Sequence, residues 1–186
     1  MSRGSVVLID GSYLKVVLKK YFNEPKIDFQ RLSSCISDDG ESRLVRAYYY
    51  YCLPYLPSSP TQEDRERHDA TRRFLDRLKM IDRFVVVTGK LELRGYNNAE
   101  PVFVQKRIDI ALAVTLVKLS YSQSIDTFHL IAGDSDFIPA VEAAKEQGKS
   151  VILWHSEDFT YHRDLWQACD ERHKIDQKLI DFCKFV

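Results

Sequence analysis

The chain has 186 residues, of which 45% are hydrophobic and 29% charged, which fits one globular domain and excludes disordered and collagen-like classes. Its 27 basic and 27 acidic side chains cancel, so no bulk positive charge argues for nucleic acid, although an acidic centre inside a basic rim gives the same total. Cys35, Cys52, Cys169 and Cys183 form no C-x-x-C pair and no apolar run reaches the length of a signal core or membrane span, so a cytoplasmic chain with free thiols and no membrane partner is expected.

Residues 5–10, SVVLID, are an apolar run ending in Asp-Gly and predict a buried strand followed by a turn. Residues 12–22 place Leu14, Val17, Leu18 and Tyr21 at helical spacing, with Ser12 as N-cap. A short helix is expected from Asp28 to Ile36, before the turn at Asp38-Asp39-Gly40. Strand formers fill 43–52, and three prolines make 54–60 a loop. Thr61 opens a charged helix to about Met80, with Phe74, Leu75 and Leu78 on its apolar side. Strands are expected over 83–88 and, at an edge, over Lys90–Arg94, with a turn-rich loop at 95–101. A helix follows over 103–121, then a strand over 126–131. Ser135 to Gln147 reads as a helix stopped by Gly148, residues 150–154 as a strand, and the tail from Phe159 as mostly helical. Strands alternating with helices predict an α/β fold with a central, mostly parallel sheet covered on both faces. The expected organisation is a single domain over 1–186, with a core of about 5–155 and a closing helical segment over 159–186.

In open parallel sheets, ligands bind outside the carboxyl ends of the strands. Asp10 ends the first strand, Asp134 and Asp136 follow the strand ending at Ile131, and Asp109 lies near a helix start. Converging carboxylates repel unless a cation sits among them, and Mg²⁺ or Mn²⁺ suits an all-oxygen site. Such an ion promotes phosphodiester hydrolysis, so Asp10, Asp109, Asp134 and Asp136 are the candidate metal ligands and catalytic residues. Local roles compete: Asp10-Gly11-Ser12 reads as a turn with a cap, and Asp134 or Ser135 as the cap of the next helix. Asp109 between Ile108 and Ile110 is harder to assign locally, because aspartate is a poor helix residue. Lys106 and Arg107 precede Asp109, and Lys90 and Arg94 flank the preceding turn, which makes them candidate phosphate contacts. Ser12 and Tyr13 beside Asp10 complete the candidate RNA-binding set. Tyr48 to Tyr51 could stack bases, but alternation sends only half to each face, which favours core packing. The histidines match no zinc spacing. No Gly-x-Gly-x-x-Gly follows the first strand, and Asp10-Gly11-Ser12 fits neither a phosphatase Asp-x-Asp nor, with Leu14, an Asp-x-Ser-x-Ser adhesion motif.

On these residues the chain resembles the NYN domain family, the LabA-like branch of the PIN-like nucleases. The matching stretches are VVLIDGSYL at 6–14, AYYYYCLPY at 47–55, VQKRIDIALAVTLVKLS at 104–120, HLIAGDSDFIPAVEAAKEQGKSVIL at 129–153 and DLWQACDERHKID at 164–176. The resemblance implies a PIN-like three-layer αβα sandwich and an Mg²⁺- or Mn²⁺-dependent endoribonuclease acting on RNA. It carries the first-strand aspartate onto Asp10, the helix aspartate onto Asp109, and the Gly-Asp-x-Asp-Phe pair onto Asp134 and Asp136. Two positions depart from the family pattern. Tyr13 stands where asparagine is frequent, and Thr115 where a further aspartate is frequent. They motivate an alternative, a catalytically weakened domain that binds RNA or acts as a scaffold. A homodimer is compatible with everything in the sequence.

Overall fold

In the computed structural model, which describes residues 3–38, 42–97, 100–106, 108–156 and 160–185, the strand-forming runs pair into one seven-stranded sheet. The strands are β1 (Arg3–Asp10), β2 (Ser42–Cys52), β3 (Phe84–Asn97), β4 (Glu100–Lys106), β5 (Thr127–Ile131), β6 (Ser150–His155) and β7 (Glu171–Lys174). Their order is β4-β3-β2-β1-β5-β6-β7. Every neighbouring pair from β3 across to β7 is parallel, and only β3–β4 is antiparallel.

Parallel neighbours require crossovers, and helices supply them. These are α1 (Gly11–Tyr21), α2 (Phe29–Ser37), α3 (Gln62–Leu78), α4 (Ile108–Ser120), α5 (Ile138–Glu146) and α6 (Arg163–Ala168), with α7 (Gln177–Cys183) after the last strand. Apolar residues of α1, α2, α3 and α7 share one core layer with Val7, Ile9 and Tyr49 of the sheet. Those of α4, α5 and α6 share the other with Val6, Leu8 and Tyr50. The strand alternation of β1 and β2 thus feeds both layers, and the architecture is a three-layer αβα sandwich.

Four local expectations need correction. Residues 95–101 are not a loop throughout, because Gly95–Asn97 belong to β3 and Glu100-Pro101 to β4. Residues 103–106 are strand rather than helix, and α4 begins only at Ile108. The long-range partner decides here: Lys90–Asn97 pair antiparallel with Glu100–Lys106, and pairing overrides an ambiguous apolar run. The tail is not mostly helical either, since Glu171–Lys174 add β7 beside β6. The helix expected from Ser135 is a 3₁₀ turn, Ser135–Phe137, continued by α5. It does end before Gly148, whose φ of +73° suits glycine. Among the described residues no helix is long and apolar enough to cross a membrane.

Candidate active site

The chain leaves β1 toward the face covered by α1 and leaves β5 toward the face covered by α5. Adjacent parallel strands whose connections diverge in this way leave a crevice at their carboxyl ends. Asp10 is the last residue of β1, and Asp134 lies three residues beyond the end of β5. Asp10, in alternation with Val6 and Leu8, faces the α4 side of the sheet. Asp109 occupies the first turn of α4, which starts at this same edge after the β3–β4 hairpin. Asp10 also caps α1: its Oδ1 accepts from the backbone N–H of Ser12 at 2.9 Å and of Tyr13 at 3.1 Å. The N-cap is therefore Asp10 and not Ser12, which lies inside the helix. Asp134 Oδ1 accepts from the Asp136 N–H at 3.0 Å and caps the 3₁₀ turn. The local capping roles are real, and they hold two carboxylates in fixed orientations.

Charge ties the group together. Burial pushes the Asp10 carboxyl up to about 6, the capping hydrogen bonds oppose this, and the charges of Asp109 and Asp134 raise it further. Burial likewise raises Asp109, with Asp134 and Asp136 adding to the effect. Asp10 thus senses Asp109 and Asp134, and Asp109 senses Asp134 and Asp136, across three distant segments. Among the described residues none of them is in an ion pair with a cationic side chain. The thiol of buried Cys52, at the end of β2, also senses Asp109 and Asp10; burial first and those charges second push it up to about 11.

A cleft of about 540 Å³ opens beside Asp10 and Asp134, bordered by Ser12, Tyr13, Ser135 and the segment Thr160–His162. That segment carries no motif, and nothing in the sequence pointed to it. Tyr13 ties it in place. Its hydroxyl lies 3.3 Å from Thr160 Oγ1 and accepts from the Ser156 N–H at 3.3 Å. The His162 N–H donates to the Gly133 carbonyl at 2.8 Å. Gly133 lets these pieces meet: a Cβ there would lie 2.5 Å from the Thr160 carbonyl oxygen and 2.6 Å from Tyr13 Cε2. Thr115 donates its hydroxyl to the Ala111 carbonyl at 2.8 Å, one turn back on α4. Tyr49 and Tyr50 are buried on opposite faces of β2, as alternation requires. Arg107 lies outside the described residues, as do the side chains of Lys90, Arg94 and Lys106, whose backbones belong to β3 and β4.

The donor chemistry suits a hard divalent cation: oxygen ligands, partly desolvated, mutually repelling and without a cationic side chain among the described residues. Yet among the described residues no three His, Cys, Asp or Glu side chains are gathered closely enough to hold a metal ion. The structure presents an acidic cleft, with its carboxylates in electrostatic contact but not closed on one point.

The model of the NYN domain matches residues 5–176. A stretch of 54 residues, 29% of the chain, is 39% identical to an uncharacterized protein of Methanocaldococcus jannaschii and spans 22% of that relative's length. The whole architecture is similar to a protein of unknown function from Vibrio parahaemolyticus, with a TM-score of 0.61 and 15% identity. That similarity covers 99% of this chain and 97% of the other, and it concerns the fold, a PIN-like sandwich.

Proposed function

This chain belongs to the NYN domain family, and from that premise we propose that it is a metal-dependent endoribonuclease of the LabA-like branch, working in a reducing, cytoplasmic setting. One observation carries the reading: the carboxyls of Asp10 and Asp109 are raised by burial first, then by neighbouring carboxylates, Asp109 and Asp134 acting on Asp10 and Asp134 and Asp136 acting on Asp109. Gathering like charges at the carboxyl edge costs stability and serves no packing purpose, and such shifts concentrate where chemistry is done. Four free cysteines suit the reducing compartment.

Asp10, Asp109, Asp134 and Asp136 would hold Mg²⁺ or Mn²⁺. When bound, the ion supplies a Lewis acid for the scissile phosphate and activates water. The chain supplies orientation. The amides of Ser12 and Tyr13 fix Asp10, and the amide of Asp136 fixes Asp134, so these carboxylates need little rearrangement when charge develops. RNA would run across the cleft mouth past Ser12 and Tyr13, with Lys90, Arg94, Lys106 and Arg107 as phosphate contacts. The purified chain is expected to cut RNA with Mn²⁺ or Mg²⁺, and Asp134→Asn to abolish cutting. Cleavage that persists both in EDTA and in that variant would overturn the metal mechanism.

A second reading rests on the absence, among the described residues, of any three donors gathered around one point. In it, the domain binds RNA without cutting it. Tyr13 as a structural tie and Thr115 bonded within its own helix, at positions where the family often has Asn and Asp, favour this alternative. It predicts metal-independent RNA retention in a gel-shift assay with no cleaved product, and a gain of cleavage in Thr115→Asp.

A further inference from the structure

A second cavity lies on the other face of the sheet. Its volume is about 820 Å³, within the range of small-molecule sites. The walls are apolar: Leu14 and Leu18 of α1, Phe29 of α2, Tyr49 of β2, and Phe74 and Leu78 of α3. Phe29, Tyr49 and Phe74 meet edge to face, with ring centroids 5.2 to 5.9 Å apart, and form a rigid aromatic enclosure.

The mouth is built separately. Asn23 and Glu24 both have left-handed backbone, with φ of +57° and +50°, and this turns the chain sharply off α1. The turn sets Pro25–Ile27 as one wall, where the Lys26 carbonyl accepts from the Phe185 N–H at 2.9 Å and Ile27 bridges to Lys184. Phe185 stands at the opening and is 60% exposed.

The charged side chains lining the cavity are Lys15, Lys26 and Arg77 against Glu24 and Asp28. Asp28 is already committed: its Oδ1 accepts from the N–H groups of Gln30 and Arg31, and its Oδ2 lies 3.4 Å from Arg31 Nε. Lys15 lies along Tyr51, its Nζ 3.4 Å from the phenolic oxygen. Lys26, Arg77 and Glu24 are in no ion pair among the described residues; with Asp28 committed, three cationic side chains face one available carboxylate, so the rim favours an anion over an apolar interior.

We propose that this cavity binds a small amphipathic carboxylate, its aliphatic or aromatic body inside the Phe29–Tyr49–Phe74 enclosure and its carboxylate between Lys26 and Arg77. The site shares no residue with the acidic cleft, and the inference does not depend on the ribonuclease reading.

The test is titration of the full-length ¹⁵N-labelled chain with sodium decanoate, decylammonium chloride and sodium acetate, below micellar concentrations and at constant ionic strength. Decanoate is expected to bind saturably, shifting amides of residues 14–18, 27–29 and 71–78. It is expected to bind roughly tenfold more tightly than decylammonium, the scale of two modest charge contacts, with acetate silent. Lys26→Glu combined with Arg77→Glu, both on exposed side chains, should weaken decanoate by about the same factor. Thr71→Trp, which plugs the wall, should abolish binding, and Asp134→Asn should leave it unchanged. Absent or unsaturable binding, equal affinity for the two alkyl ions, shifts centred elsewhere, or indifference to the charge reversals overturns the proposal. So does concentration-dependent dimerisation by light scattering that decanoate does not reverse, because the groove would then belong to a second copy of the chain.

Discussion

Asp10 does two opposed things. As a cap it satisfies two amides at the start of α1, worth about 1 kcal/mol. As a buried carboxylate near Asp109 and Asp134 it is pushed up to about 6. In the unfolded chain the same group titrates near about 3.9. Below that value both states are protonated and Asp10 carries no electrostatic penalty. As pH rises through about 6 the folded protein must hold the charge, and that stability is lost, by about 3 kcal/mol at neutral pH. Asp109, raised by burial and by the charges of Asp134 and Asp136, contributes in the same direction. The metal-free protein should therefore be more stable at pH 5 than at pH 7.5 in urea unfolding. Asp10→Asn should flatten that dependence and raise stability at pH 7.5, because asparagine still caps. A less stable Asp10→Asn protein at pH 7.5 would show that the strain at this carboxylate has been misjudged. This residue was readable in advance as a strand-end carboxylate beside a glycine. Its state of charge was not, because that depends on segments about a hundred residues away.

At the scale of elements, the site depends on how closely the β5–α5 turn, the start of α1, Ser156 and the segment Thr160–His162 approach. Gly133 is needed there for space, since a methyl group would meet backbone oxygen and the Tyr13 ring. Gly133→Ala should cost about 1 to 3 kcal/mol in chemical denaturation. It should also lower the RNA cleavage proposed for this site, because the displaced turn carries Asp134. Tyr13→Phe removes only the hydroxyl that accepts from the Ser156 N–H, and should cost about 1 kcal/mol with the ring still in place. An unchanged midpoint in Gly133→Ala would mean that the close approach at Gly133 is unimportant. The strands at Val6, Tyr49 and Leu130 were legible from apolar runs and β-branched content. The β3–β4 hairpin was not, because Val102–Val104 reads equally as strand or buried helix until its partner is known.

Over the whole molecule, the closing segment is part of the core. Ile175, Leu179, Ile180 and Cys183 are buried among residues of α1 and α2, the Asp28 N–H donates to the Cys183 carbonyl at 2.7 Å, and β7 covers the edge of β6. We propose that residues 1–186 fold as one unit and that a core of 5–155 does not stand alone. A chain ended at residue 158 leaves that apolar face and sheet edge open. It should lose the cooperative urea transition followed by far-ultraviolet circular dichroism. A shortened chain with an unchanged midpoint would identify the first part as autonomous.

The sequence by itself determined the alternation of strands and helices, the two-sided burial of the central strands, and the four aspartates at strand ends and a helix start. Those follow from local periodicity, turn chemistry and residue type, all of which act over a few neighbours. Only the tertiary structure decided that Asp10 rather than Ser12 caps α1, that a seventh strand closes the sheet, and that Tyr13 ties the cleft wall. It also decided that the aspartates share one electrostatic field without gathering three donors around one point among the described residues, and that an apolar cavity lies on the opposite face. Each of these depends on the meeting of segments far apart in the chain, where packing and desolvation set the outcome and local pattern carries no trace of it.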